Sequence, residues 1–158
     1  MNFESFEDIK VLMDNFDPAS LLPDLTSLVG KVEFITRLAV IIGPLVLLAL
    51  GLLYFFAAPR EANYHLGYRC YYGMGSEEAW RFTQRFAGLV WAVLGLAMTL
   101  VMVILTGSFG GKPIMDIIGA GVKCLLWEIG ITLVSCLAIN VMVMVRYDRK
   151  GLRRKNYD

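Results

Sequence analysis

Apolar residues in this chain gather into three long runs, at 38–58, 86–106 and 121–145. Each is about the 20 residues a helix needs to cross a hydrocarbon core of about 30 Å. A bilayer offers nothing to pair with an open strand edge, so runs of this length are expected to be helices despite Gly43, Pro44, Gly51, Gly95 and Gly130. Ahead of them, Phe3, Phe6, Ile9, Met13 and Phe16 recur at steps of three and four, the stripe of an amphipathic helix. Asp17-Pro18 reads as a helix start, and Pro23-Asp24 repeats the signal before Leu25, Leu28, Val29 and Val32. The pattern predicts an all-α membrane protein, three transmembrane helices preceded by short amphipathic N-terminal helices.

Composition agrees: 57% of the residues are hydrophobic and 18% charged. The chain divides into an acidic, extracytoplasmic helical segment at 1–36 and a three-span membrane domain at 37–158, with a loop at 59–85 and a basic tail at 146–158. With three spans, Arg60, Arg69, Arg81 and Arg85 of the loop fall on the same side as Arg146, Arg149, Lys150, Arg153, Arg154 and Lys155 of the tail. Lysine and arginine accumulate on the cytoplasmic side, so the N-terminus is expected outside and the C-terminus inside the cell membrane. No basic n-region or small-residue cleavage site opens the chain, and the first span is expected to act as its own insertion signal. The leading helix is acidic rather than lysine-rich on its polar face, which suits packing along the outer surface better than electrostatic lipid binding. A lid or partner-docking surface is the sharper alternative. The segment 107–113 reads as a turn, with 114–120 adding a helical turn before the third span.

Catalytic chemistry finds little to work with. His65 is the single histidine, and Cys70, Cys124 and Cys136 are scattered without metal-ligand spacing. No catalytic residues, no metal site and no cofactor are expected, and no nucleic-acid partner. The tail is expected to fix topology and hold anionic membrane lipids.

The loop is richer. Ser76 before Glu77-Glu78-Ala79-Trp80 is a helix N-terminus in outline: a hydroxyl to cap a backbone N–H, then acids facing the positive end of the dipole. A helix from Ser76 would run straight into the second span, leaving Trp80 and Phe82 at headgroup level with the indole N–H in water. Upstream, Gly67-Tyr68-Arg69 sets a permissive backbone position beside a planar cation among Tyr64, Tyr68, Tyr71 and Tyr72. Such a cluster can clamp a carboxylate or phosphate or stack on a peptide. It also fits an interfacial aromatic belt with a positive-inside arginine.

The order of Asn63, Gly67-Tyr68-Arg69, Ser76-Glu77-Glu78 and Trp80, followed by Gly88 in the second span, resembles the SdpI family of bacterial membrane proteins. The resemblance covers about 59–88 and the two flanking spans. Cys70 stands where that pattern has threonine, and Gln84 where asparagine is usual. The resemblance implies immunity to a secreted toxic peptide, joined to signalling through capture of a cytoplasmic regulatory protein at the membrane. It makes Asn63, Gly67, Tyr68, Arg69, Ser76, Glu78 and Trp80 the candidate partner-binding residues.

Glu128 interrupts the third apolar run, and a carboxylate at depth normally faces a bundle interior or a cavity. Arg37 and Lys123 are its candidate partners, and Asn140 a candidate polar companion deeper in the same helix. A shallow, solvated carboxylate is the plain reading; an ion or proton pathway in a small transporter or channel subunit is the functional one. Gly88 and Gly95, seven apart, suit close approach by a neighbouring helix, and a homo-oligomer is expected. A purely structural membrane subunit is the third alternative.

Overall fold

The computed structural model describes residues 22–62 and 66–154, with side chains from Thr26 onward. The expected helix over 3–16, and Asn63, Tyr64, His65 and Lys155, lie outside the described residues. The described residues form three helices: α1 (Leu22–Phe56), α2 (Glu77–Gly107) and α3 (Ile114–Arg146). All three are long and apolar enough to cross a membrane. At 1.5 Å per residue each is about 50 Å long and outreaches the hydrocarbon core at its ends. Among the described residues there is no strand, only an isolated bridge between Tyr147 and Arg153.

Each helix begins earlier than its apolar run. α1 is continuous from Leu22, so the second of the two expected leading helices is the first turns of the span itself. Pro23 causes no break because the first turn of a helix has no use for its missing N–H. α2 starts at Glu77 behind an extended Ser76, whose hydroxyl accepts the Ala79 N–H at 3.1 Å. α3 starts at Ile114 directly after Pro113, absorbing the helical turn expected at 114–120.

The buried face of α2 is one stripe: Trp80, Thr83, Gln84, Ala87, Gly88, Trp91, Gly95, Met98 and Met102 recur at helical spacing. Its glycines form the seam with α1. A methyl group on Gly51 would run into the Ala92 backbone, one on Gly88 into Phe55, and one on Gly95 into Leu48. Gly88 and Gly95 thus receive a neighbouring helix closely, as expected, and that helix is α1 of the same chain. α3 meets α1 through Gly121 against Thr36 and Gly43 against Glu128. Against α2 it holds a hydrogen bond from the Trp91 indole N–H to Ser135 Oγ at 3.2 Å. Elsewhere α2 and α3 part around an apolar groove of about 730 Å³ lined by Leu89, Val93, Trp127 and Val134. Only 22% of the most apolar window of each helix is buried within the chain, so most of that surface is left for lipid or other protein.

The seam sets a test. Gly51→Val forces two backbones apart and should cost about 1–3 kcal/mol or more, the usual penalty of overpacking. Gly119→Ala, with nothing within 4 Å of the added methyl, should not lower stability. Thermal melting of the two variants in detergent compares them directly.

Candidate functional site: a loop folded into the bundle

The connection between α1 and α2 folds back against the helices, burying Tyr68. It turns inward and is held from below by the first turns of α2. The Trp80 indole N–H donates to the Pro59 carbonyl at 2.8 Å, pinning the limb that leaves α1. One turn on, Gln84 takes both backbone groups of Tyr68: its Oε1 accepts the Tyr68 N–H and its Nε2 donates to the Tyr68 carbonyl, each at 2.7 Å. Non-helical backbone at this depth must be satisfied by protein, and one side-chain amide matches a peptide unit donor for acceptor.

Gly67 makes the approach possible. Its φ of 122° is a left-handed conformation that favours glycine. A Cβ there would also fall 2.8 Å from the Trp80 ring and the Gln84 amide oxygen. Beyond it Tyr68 is buried, its ring edge-on to Trp91 at 5.3 Å and its hydroxyl donating to the Cys136 carbonyl of α3 at 3.1 Å. Burial raises the Tyr68 hydroxyl pKa further above its usual value, while the nearby Asn140 amide acts in the opposite sense. Cys70 lies under the same loop, and its thiol is pushed up by burial, against hydrogen bonds from the Gly73 backbone and Thr83. Arg69 and Tyr71, by contrast, are exposed.

The beginning of the tail belongs to the same structure. Asp148 Oδ1 accepts the N–H groups of Lys150 and Leu152, closing a tight turn with Gly151 at φ 73°. Ser76 Oγ donates to the Gly151 carbonyl at 2.7 Å, so one hydroxyl caps α2 and docks the tail. Tyr147 is buried under this turn, and its hydroxyl faces Glu78 at 3.4 Å. Burial, then the Glu78 charge, raises its pKa. Arg146 sits over the Phe82 ring at 4.4 Å. The first turns of α2, Phe55 of α1 and the tail line a cleft of about 890 Å³ that includes Arg81, Arg85 and Arg153 together with Phe86 and Leu89.

Several expectations change. Trp80 is fully buried and its N–H is bonded to protein, so it is a structural post rather than a headgroup anchor. Phe82 stacks on Phe86 and carries Arg146. Of the candidate partner-binding residues, Gly67, Tyr68, Ser76 and Trp80 build the loop's support, while Arg69 and Glu78 are exposed. Gln84 was missed as a site residue. Its one signal was its departure from the asparagine of the resembled pattern.

Glu128 is buried, 6% exposed, and stands about 21 Å along α3 from Ile114, near the middle of that helix. Arg37 pairs instead with Glu33, and Lys123 is exposed. Asn140 is twelve residues further on, about 18 Å away along the helix, and is associated with Tyr68 rather than with Glu128. Among the described residues no group of three or more histidines, cysteines or acids could hold a metal ion.

These features define a three-span helical membrane protein with a re-entrant first loop locked against its C-terminal turn. A model of the SdpI/YfhL protein family matches residues 60–147, more than half of the chain, running from the loop through α2 and α3 to Tyr147. The chain belongs to that family. No curated protein and no solved structure matches it.

Two outcomes follow. Cys70 in the native protein should alkylate more slowly at neutral pH than an unhindered thiol, because less of it is thiolate. Gln84→Leu leaves two buried backbone groups unpaired, at about 1–3 kcal/mol each, and should release the loop. Peptide mapping should then show faster alkylation of Cys70 and faster tryptic cleavage after Arg69 in open membranes.

Proposed function

We propose that this SdpI/YfhL-family protein confers immunity to a secreted toxic peptide, and signals by capturing a cytoplasmic regulatory protein on the face formed by the loop and the docked tail. The observation that carries the reading is the loop itself. Arg69 and Tyr71 are exposed next to a backbone that Gln84 pins at Tyr68, so a partner meets a planar cation and an aromatic ring on a segment whose backbone is already ordered. The lysine and arginine distribution supports this face as cytoplasmic, with the N-terminus outside. The toxic peptide would be met from the outer face or in the bundle. Membrane lipids and a second copy of the chain are further proposed partners, the latter because so much apolar helix surface is uncovered. The protein acts by binding, not as an enzyme.

Crosslinking and affinity capture from native membranes tests the reading, comparing wild type with an Arg69→Ala, Tyr71→Ala double variant at equal abundance. Both side chains are exposed, so the fold should survive. A soluble regulator recovered with wild type and lost from the variant is the expected result, together with a rise in peptide sensitivity when the whole chain is deleted. Equal recovery from both proteins, or deletion without effect on sensitivity or on any regulator's membrane association, overturns it.

A further inference from the structure

The middle of the bundle holds a feature that the loop reading does not use. Glu128 projects from α3 toward α1, where Gly43 leaves room for it: a Cβ at Gly43 would fall 2.6 Å from Glu128 Oε2. Glu128 Oε1 is buried and accepts no hydrogen bond. Next to Gly43, Pro44 lies inside α1, and with no N–H it cannot serve the Val40 carbonyl one turn back. The carboxyl lines a pocket of about 370 Å³ together with Pro44, Leu47, Trp91, Met98 and Thr132.

A carboxylate at membrane depth is costly unless it takes up a proton or a positive charge meets it. Among the described residues no cationic side chain lines this pocket, and the Cys124 thiol, one turn away on the same helix, interacts electrostatically with the carboxyl. An inorganic cation is poorly served, since such ions gather several oxygen ligands and the side chains lining this pocket offer only those of Glu128 and Thr132. The volume lies within the range of small-molecule sites, and the walls are largely apolar. Trp91 adds an aromatic side chain to the lining, held in place by its ring contacts with Tyr54 and Tyr68.

We propose that Glu128 and Trp91 form an intramembrane binding site for a hydrophobic organic cation, an alkyl or aryl ammonium or phosphonium, with Glu128 as counter-ion and Pro44, Leu47 and Met98 as apolar wall. The site is independent of partner capture at Arg69 and Tyr71, and either can fail without the other.

Tetraphenylphosphonium is a suitable probe of this chemistry. Equilibrium dialysis with the full-length protein in nanodiscs should show saturable binding, weakened at least about tenfold, or about 1.4 kcal/mol, by Glu128→Gln and less by Glu128→Asp. Lack of saturable binding to wild type, or equal binding to a folded Glu128→Gln protein, overturns the proposal. Should that variant not fold, the wild-type protein decides alone. N,N′-dicyclohexylcarbodiimide should modify Glu128, as located by peptide mapping, and tetraphenylphosphonium should protect it. Absence of protection at saturating probe overturns the site.

Discussion

Everything on the loop side of the molecule depends on one side-chain amide. Gln84 donates to and accepts from the same residue, Tyr68, and so replaces the water that a non-helical peptide unit loses on entering the bundle. The arrangement tolerates little change, because a buried polar group left unpaired costs more than its hydrogen bond contributes. Gly67, Trp80 and Thr83 are shaped around it: a backbone that turns where a side chain would collide, an indole that holds the other limb, and a hydroxyl beneath Cys70. The exposed residues are placed by these buried ones.

The bundle below is held by two kinds of contact. Between α1 and α2, glycines bring backbones into direct contact, which suits a lipid setting where apolar side chains gain little by leaving the membrane for one another. Between α1 and α3, a glycine instead makes room for a carboxyl group. The first contact is stable by shape alone. The second leaves a charge requirement that the described side chains do not meet, and it lies beside the proline that weakens α1.

The three spans were readable from the sequence because membrane crossing imposes a length and a composition that any local window reveals. Ser76 was readable for the same reason: capping is decided within four residues. The re-entrant loop was not, since its determinants are 16 residues apart in the pairing of Tyr68 with Gln84 and 68 apart in that of Tyr68 with Cys136. Trp80 at the mouth of a span has the composition of an interfacial anchor, and only the position of Pro59 makes it a core residue. Glu128 was noticed for its chemistry, yet its partners were sought by charge and sidedness, whereas Arg37 pairs with Glu33, Lys123 is exposed, and the carboxyl packs against Gly43. Gly88 and Gly95 marked a close helix contact correctly in kind, but a sequence does not say whether the approaching helix belongs to the same chain.

The path of Tyr68 also bears on how the protein is made. Synthesis delivers α1, the loop and α2 before α3, so the glycine seam and the Gln84 amide can form while the Tyr68 hydroxyl still lacks its acceptor, a carbonyl 68 residues later in the chain. The tail that docks on Ser76 arrives later still. The first two helices thus assemble as an open hairpin, and it is the third that closes the latch. A nascent chain interrupted between α2 and α3 would carry the loop without its lock.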